Sequence, residues 1–212
     1  MAHIVVFGGT GFAGRNIVHE AGSRGHSVVV VSRSRVIDGS LKDETTYRQG
    51  DVGDADLVDE LARAADVVVV ATPASGTPPL VEAVPHLLAA CAEHGARLGF
   101  VGGAGSLRAG DGTLLEQPDF PADYLPEARA HADVLDALRA ADTPVSWFYL
   151  SPPPVFGAQV PGKPTGHYRL GDDEPVVTDD GESTISGADL AVALVDEIEK
   201  GAHHQARFTV GY

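Results

Sequence analysis

The sequence contains little cysteine and little positive charge. Its one cysteine, Cys91, cannot form an internal disulfide, which is typical of proteins in a reducing cytoplasm, and we expect a cytoplasmic location. Lys and Arg number 15 against 30 Asp and Glu, so the formal net charge is −15 with His neutral. This excess repels phosphate backbones and anionic lipids, and we therefore expect neither nucleic acid nor a membrane surface as a partner.

Long apolar runs and metal-ligand patterns are also missing. No stretch approaches the roughly 18 apolar residues of a membrane-spanning helix. Histidine, cysteine and acidic residues do not recur at the spacings of a metal site, so we expect no bound metal.

The composition that remains is that of a folded α/β protein. Hydrophobic residues make up 43% of the chain and charged residues 21%, which excludes disorder by composition. The length of 212 residues fits one domain. We expect a single domain over residues 1–212, with a core over residues 1–150 and a small cap over residues 151–212.

Short apolar runs alternate with helical patterns along most of the chain. The runs are rich in β-branched residues, as expected for strands that are buried on both faces of a parallel sheet. Strands that alternate with helices predict right-handed βαβ units, and hence a doubly wound, mostly parallel sheet. The predicted strands are residues 4–7, 28–31, 45–48, 67–71, 98–101 and 145–150, and the predicted helices are residues 16–23, 56–65, 80–94 and 127–141.

The last sixty or so residues have a different pattern, rich in glycine and proline at first. The run 151–154 reads Ser-Pro-Pro-Pro and cannot continue a central strand, because proline supplies no ladder N–H. After it we expect a short strand pair, residues 167–170 with 175–177, then a helix over 189–200 and a strand over 207–210. A segment this small cannot bury a core of its own, so we expect it to cap the same domain.

A glycine-rich turn follows the first predicted strand and opens the first helix. Gly8, Gly11 and Gly14 have G-x-x-G-x-x-G spacing. Glycines there permit a tight turn, close approach of a phosphate to the backbone and close helix–strand packing, while the helix amides attract the phosphate. The alternative is a purely structural turn. The pattern predicts a dinucleotide pyrophosphate site made by Gly8, Gly9, Thr10, Gly11, Phe12 and Gly14.

Residues after the second strand favour one dinucleotide over the other. An NAD site has an Asp or Glu there for the ribose hydroxyls, whereas this chain has Ser32, Arg33 and Arg35, with no acid before Asp38. Guanidinium and hydroxyl groups suit a ribose 2′-phosphate, so we expect NADP(H) rather than NAD(H). The alternative is that both arginines are merely solvated.

Residues at the ends of later strands extend the predicted cofactor site. Asp51 could accept a bond from the adenine amino group while Val52 packs on the ring, although Asp51 could equally be a helix N-cap. Thr72 and Pro73 end the fourth strand, at the edge where ligands bind in open α/β sheets.

The end of the last core strand is the remaining part of the predicted cofactor site. Ser151, Pro152 and Pro153 follow that strand directly. We expect them to approach the nicotinamide ring, with a rigid structural exit as the alternative.

Several of these motifs together resemble a known family. They are Gly8-Gly9-Thr10-Gly11, the run VGGAGS over residues 101–106, PDFP over 118–121, SPP over 151–153 and GHYRLG over 166–171. The chain resembles the atypical branch of the short-chain dehydrogenase/reductase superfamily, in its NADH-flavin reductase-like group, which is related to biliverdin reductase B and to NmrA-like proteins. The resemblance implies a Rossmann domain with a small C-terminal substrate cap, and reductase chemistry on a flavin or similar planar acceptor.

The chain departs from the wider superfamily at the catalytic position. Conventional members combine a serine after the fifth strand with Tyr-x-x-x-Lys on the next helix, where the lysine lowers the tyrosine pKa. Ser106 is present here, but Tyr124 is followed four residues later by Ala128, and no lysine lies nearby. Alcohol oxidation and sugar epimerisation need this proton relay, so we do not expect them. Hydride transfer to a flavin such as FMN needs it less, because the reduced ring can take its proton from solvent.

The segment over residues 104–126 is long for a connection and is predicted to be a lid over the nicotinamide. It would bring the catalytic candidates Ser106 and Tyr124 to the acceptor. As alternatives, Ser106 could cap a turn and Tyr124 could pack on the helix start.

Two functions from different classes follow from these observations. The first is an NAD(P)H-dependent oxidoreductase that transfers hydride to a small planar acceptor, without a Tyr-x-x-x-Lys relay. The second is a non-catalytic NADP-binding redox sensor of NmrA-like type. The sequence leaves the acceptor and the oligomeric state open.

Overall fold

The computed structural model describes residues 1–34 and 45–212, and one mixed sheet runs through it. Eight strands form the sheet in the order β3-β2-β1-β4-β5-β8-β10-β9, and every pair is parallel except β10 with β9. The strands are β1 His3–Phe7, β2 Ser27–Ser32, β3 Thr45–Gln49, β4 Val67–Val70, β5 Arg97–Val101, β6 Arg108–Ala109, β7 Gly112–Thr113, β8 Trp147–Ser151, β9 Arg169–Gly171 and β10 Ala206–Gly211. The helices are α1 Phe12–Ser23, α2 Ala55–Ala62, α3 Val84–His94, α4 Leu125–Ala140 and α5 Gly187–Lys200. The predicted doubly wound, mostly parallel sheet is confirmed.

Continuous valine runs form the central strands because both faces of the sheet are covered. All four residues of β4 are buried. Val68 and Val70 point into a core shared with α2, α3 and α4, whereas Val67 and Val69 point into a second core shared with α1 and α5. Side chains that alternate in direction along a strand therefore pack into two apolar layers, one on each face of the sheet.

Strand order reverses at β1, which pairs with β2 on one side and with β4 on the other. In open α/β sheets, the crevice outside the carboxyl ends of such strands is where ligands bind. Helix α1 begins at this edge. It begins at Phe12, earlier than the predicted residue 16. Glycine is a weak helix former, which disfavours a helix over Gly14 in the sequence, yet Gly14 is helical in the structure.

The C-terminal segment extends the same sheet. Strand β10 pairs with β8, and α5 packs against α1 on one face. The predicted strand pair is wrong in its second half, since β9 pairs with β10 and residues 175–177 form no strand. Pro175 offers no ladder N–H, and Val176 packs against Gly171 and Gly211 instead.

The predicted lid over residues 104–126 is folded. It contains the hairpin β6–β7 and two short 3-10 turns, and Leu107 anchors it in the core with no exposed surface. In the turn at Leu114–Glu116, the Thr113 side chain and Glu116 form a reciprocal capping box. None of the helices in the two described ranges is long and apolar enough to cross a membrane.

A charged cluster joins α1 to α5. The Arg24 guanidinium donates to Glu20, Asp196 and Glu199 at 2.7 to 2.8 Å. Asp196 also accepts from Lys200 and from the Tyr168 hydroxyl. Burial alone would raise the pKa of Asp196, but the bonds from Lys200, Arg24 and Tyr168 outweigh it and lower the pKa to about 2.

Replacement of Asp196 by asparagine is expected to lower the free energy of unfolding by about 1–3 kcal/mol at pH 7, because the partly buried donors of Arg24 and Tyr168 lose a charged acceptor. A carboxyl whose pKa is lowered by folding stabilises above its unfolded pKa and loses that contribution as the pH falls toward the folded value. The difference between wild type and variant should therefore stay constant from pH 7 to about pH 5 and shrink below about pH 4.

Denaturant unfolding at several pH values measures this difference. Glu20→Gln is the matched control, because it removes an i,i+4 partner of the same Arg24 and should cost less than about 0.5 kcal/mol. A difference in free energy of unfolding between wild type and Asp196→Asn that does not change with pH would contradict the role given to this carboxylate.

Candidate functional site

The glycine-rich turn is a crossing of three backbone segments. Gly8 has φ +77°, and a Cβ built on it would lie 2.4 Å from the Ala71 carbonyl oxygen after β4. A Cβ on Gly14 in α1 would lie 2.1 Å from the Gly8 carbonyl oxygen. Neither position tolerates a side chain without movement of backbone. We call this contact of Gly8, Gly14 and Ala71 the backbone crossing.

The crossing leaves the start of α1 open to a ligand. Gly11 is the N-cap, so no side chain caps the helix, and the first turn contains no acidic residue. The Gly11 amide donates back to Gly8 O at 2.9 Å, which closes the turn. Unpaired amides at a helix start, together with the helix dipole, favour an anion.

A cavity of about 330 Å³ opens beside this turn. It lies outside the carboxyl ends of β1, β2, β3 and β4, over the point where the strand order reverses. Its lining consists of Phe7, Gly8, Thr10, Gly11, Val31, Ser32, Arg33, Ser34, Gly50, Asp51, Val52, Ala71, Thr72, Pro73, Gly76, Thr77, Pro78 and Leu80.

Many of the predicted cofactor residues come together in this cavity. Those that line it are Gly8, Thr10, Gly11, Ser32, Arg33, Asp51, Val52, Thr72 and Pro73. They come from turns that follow four different strands, which only the parallel sheet brings to one edge. Arg35 lies outside the described residues.

Three predicted residues of the turn face inward instead. A Cβ on Gly9 would lie 2.9 Å from a Val30 methyl group, so Gly9 packs on β2. The Phe12 ring lies 5.3 Å from the Phe156 ring, centroid to centroid, and contacts Gly187 at the start of α5. Together with Gly14, these residues pack the turn against the rest of the protein, and Thr10 with its neighbours Gly8 and Gly11 lines the cavity.

Polar groups at the end of β2 are partly engaged. The Ser32 hydroxyl donates to Ser34 O at 2.8 Å. The Arg33 side chain is 79% exposed, and its Nε lies 3.9 Å from Asp51 Oδ2. Asp51 Oδ1 accepts from the Gly53 amide at 2.8 Å. The alternative in which Asp51 caps α2 is wrong, because Asp54 is the N-cap and accepts from the Leu57 amide.

The remaining predicted residues lie outside the cavity. Ser151, Pro152 and Pro153 are buried at the end of β8, two strands away from β4. Ser106 follows β5 without reaching the cavity lining, and Tyr124 is 57% exposed before α4.

Three hydroxyls at this edge share an unusual state. The Oγ1 of Thr72 and the Oγ atoms of Ser106 and Ser151 are buried and have no hydrogen-bond partner among the described residues. Thr72 and Ser106 come after β4 and β5, and Ser151 ends β8; the three strands are neighbours in the sheet. Buried hydroxyls without partners are uncommon, and a ligand can supply the missing bond.

The sequence analysis did not identify a polar contact beside the cavity that involves Glu127 and His131. In the structure, His131 Nε2 lies 3.1 Å from Glu127 Oε1, one helical turn away in α4. The Glu127 carboxylate also accepts from the amides of Ala74 and Ser75, at 2.7 and 3.0 Å, and from the Ser75 hydroxyl. The i,i+4 spacing of Glu127 and His131 was a signal for the first contact, but nothing in the sequence pointed to the second.

Three side chains that could ligate a metal lie together on α2 and α3, namely Asp59, Glu93 and His94. Two of the three are already paired, since His94 Nε2 lies 2.7 Å from Asp59 Oδ1 and Arg63 pairs with the same Asp59. Asp59 and His94 therefore form an ion-pair group between the two helices, with Glu93 exposed beside it.

Comparison with known proteins bears on the cavity. The family described as NAD(P)H-binding matches residues 8–200 of the chain, which include the turn and all of the cavity lining that the structure describes except Phe7. The chain belongs to this family.

Relatives of similar length support the assignment. YwnB of Bacillus subtilis (strain 168) is 38% identical over 214 residues, which cover 98% of this chain and 97% of YwnB. A provisionally named NADH-flavin reductase from Streptococcus pneumoniae TIGR4 is 32% identical, with a TM-score of 0.87 over 100% of this chain and 99% of that one. A provisionally named epimerase from Bacteroides thetaiotaomicron is 33% identical, with a TM-score of 0.89 over 99% of this chain and 96% of that one. The predicted atypical short-chain dehydrogenase/reductase family and Rossmann fold are confirmed.

The backbone crossing predicts unequal effects for two glycines of the same conformation. Gly8 and Gly25 have φ of +77° and +79°, so an alanine at either position costs about 1–2 kcal/mol in the left-handed region. A Cβ on Gly25 meets nothing within 4 Å, whereas one on Gly8 meets the Ala71 backbone. Gly8→Ala should therefore destabilise by about 1–3 kcal/mol more than Gly25→Ala. Denaturant unfolding measures both, and equal costs would refute the crossing.

Proposed function

We propose that the protein is an NADP(H)-dependent reductase that transfers hydride to a flavin or another small planar acceptor. The observation that carries the proposal is the cavity at the sheet reversal, which the glycine-rich turn and Arg33 border together. The family match supports an NAD(P)H-binding oxidoreductase. One structural relative is named provisionally as an NADH-flavin reductase, which is consistent with this acceptor class.

The residues of the cavity fit a dinucleotide by their chemistry. The amides at the start of α1 suit a pyrophosphate, because Gly11 leaves them uncovered. Asp51 offers a carboxylate oxygen for an adenine amino group, and Val52 offers an apolar surface for the ring. The adenosine half would then lie toward β2 and β3, and the nicotinamide half toward β4 and β5.

The preference for NADP(H) is supported by charge at the end of β2. Ser32, Arg33 and Ser34 line the cavity there, and none of them is acidic. The Arg33 guanidinium is largely exposed, and its separation of 3.9 Å from Asp51 leaves donors available for a ribose 2′-phosphate. An acid at this position would repel that phosphate.

The placement of the nicotinamide half is supported by the three buried hydroxyls that have no hydrogen-bond partner among the described residues. Thr72, Ser106 and Ser151 supply donors and acceptors after three neighbouring strands, and bonds to a carboxamide, a ribose or the acceptor would satisfy them. In this proposal, the lid over residues 104–126 brings Tyr124 to the acceptor, where its ring could pack on a planar molecule.

The missing proton relay favours an acceptor that needs little help from the protein. Reduced nicotinamide supplies a hydride, and solvent supplies the one proton that completes the reduction of a flavin to its dihydro form. Tyr124 has no lysine partner on α4, and Glu127 accepts hydrogen bonds at both of its oxygens. The residues of this chain therefore bind and align two rings rather than exchange protons with a substrate.

A non-catalytic NADP-binding sensor is the second candidate. It is favoured by one observation, namely that neither Ser106 nor Tyr124 lines the cavity and Tyr124 is 57% exposed. A sensor must bind NADP+ and NADPH with different affinities, since a ligand shifts an equilibrium only by its differential affinity for two states.

Turnover separates the two candidates. Purified protein with NADPH and FMN, riboflavin or a quinone should oxidise the coenzyme, which the loss of reduced-nicotinamide absorbance measures. The reductase proposal fails if no acceptor supports oxidation although NADPH binds. Different affinities for NADP+ and NADPH in that case would favour the sensor.

Arg33→Ala should raise the Kd for NADPH by about tenfold or more while leaving the Kd for NADH nearly unchanged, because only NADPH has the 2′-phosphate. Arg63→Ala is the matched control, since Arg63 is 68% exposed on the surface beyond α2 and does not line the cavity. Fluorescence titration of both coenzymes measures the effect. Equal losses for NADPH and NADH would contradict the role of Arg33.

A further inference from the structure

One wall of the cavity depends on a loop with few supports of its own. The cavity loop (residues 71–79) joins β4 to the 3-10 turn before α3 and contributes Thr72, Pro73 and Gly76 to the lining, with residues 77 and 78. Its residues 75–78 are exposed, whereas Ala74 is buried. From the 3-10 turn that follows the loop, the Leu80 amide donates to Ala74 O at 2.9 Å.

Side-chain support for the cavity loop comes from α4. Among the described residues, the side-chain bonds from outside the loop to residues 71–79 all come from Glu127, at the Ala74 amide, the Ser75 amide and the Ser75 hydroxyl. The residues joined lie 53 and 52 positions apart in the chain. Glu127 therefore fixes the wall of the cavity to the helix that follows the lid.

Each oxygen of this carboxylate receives donors only. Oε1 accepts from the Ala74 amide and lies 3.1 Å from His131 Nε2, and Oε2 accepts from the Ser75 amide and hydroxyl. Burial alone would raise the pKa of Glu127, but the bonds from His131, Ser75 and Ala74 outweigh it and lower the pKa to about 2. The group is ionised at neutral pH and has no proton to donate, which excludes a role as general acid.

The support continues from Glu127 to the segment after β5. His131 is buried, and its carbonyl oxygen accepts from the Tyr149 hydroxyl at 2.8 Å. Burial raises the pKa of Tyr149, so this hydroxyl keeps its proton. The same hydroxyl accepts from the Gly103 amide at 3.2 Å. Residues 74–75 after β4 and residue 103 after β5 are thus held to the same turn of α4.

We infer that Glu127 is a positioning residue for coenzyme binding, which holds the cavity loop against α4 so that Thr72 and Pro73 face the bound dinucleotide. The inference rests on the proposed coenzyme binding and adds a residue outside the cavity lining to it. Glu127 acts through the backbone of Ala74 and Ser75 and does not touch the coenzyme.

Glu127→Gln is the sharpest test, because it keeps the size of the side chain and removes only the charge and one acceptor. The amide has a single oxygen, so in either orientation its NH2 group faces a backbone N–H of the cavity loop. The loop then spends less time in the binding conformation. If that fraction falls to about a tenth, the Kd for NADPH rises about tenfold.

Two further variants complete the series. Ser75→Ala removes one donor and leaves both amide bonds in place, so a smaller rise in Kd, about two- to threefold, is expected. Glu82→Gln is the matched control, since Glu82 is exposed in the following 3-10 turn, outside the cavity lining, and its replacement removes the same charge. If Glu127→Gln does not fold, Ser75→Ala decides the test.

The measurements are the Kd for NADPH, the split between KM and kcat, and hydrogen–deuterium exchange of residues 71–79. We expect Glu127→Gln to raise Kd and KM for NADPH, to leave kcat within about threefold and to speed exchange at Ala74 and Ser75, and bound NADPH to slow that exchange again. Glu82→Gln should match wild type in each measurement.

Two failures are distinguishable. If wild-type protein binds NADPH and Glu127→Gln binds it equally well, with Ala74 and Ser75 exchanging as in wild type, the positioning role is refuted and the proposed function stands. A fall in kcat with unchanged KM would also refute the positioning role. If wild-type protein binds neither NADPH nor NADH, the proposed function fails, and the inference fails with it.

Discussion

The backbone crossing at the start of α1 is the constraint on which the rest of the cavity depends. Gly14 lies so close to the Gly8 carbonyl, and Gly8 to the Ala71 carbonyl, that no side chain fits at either glycine. This contact brings the helix amides, the end of β1 and the loop after β4 to one place. The sites proposed for the pyrophosphate and for the nicotinamide half therefore both depend on the backbone crossing. A change at the crossing is expected to affect folding and binding together.

Features that depend on neighbouring residues could be predicted from the sequence. Runs of valine predict β2 and β4, and the glycine spacing predicts the turn. Both signals are local, because the hydrophobic period and the conformational freedom of glycine belong to neighbouring residues. The partner of a strand is not local. Residues 175–177 have a strand-like composition, yet Pro175 lacks an N–H and Val176 packs under Gly211, so β9 pairs with β10 instead.

The candidate site divides in the same way. Its residues near the proposed adenosine position, such as Ser32 and Asp51, lie at or just after the ends of strands, and the doubly wound order alone brings such residues to one edge. The position of Tyr124 depends on how the segment 104–126 folds, and its one fully buried leucine, Leu107, is not distinguished in the sequence from the other leucines of the segment. The role of Glu127 could not be predicted from the sequence, because its partners in the loop after β4 are more than 50 positions away. Two of its bonds also come from backbone amides, which carry no sequence signal.

The order of the strands has a consequence for biosynthesis. Strand β10, Ala206–Gly211, lies between β8 and β9 in the sheet, although it follows both of them in the chain. Until β10 has been synthesised, β8 has one free edge, and the place that Phe208 fills in the core stays empty. The earlier strands must therefore persist with an unpaired edge, which a chaperone or a second nascent chain can contact.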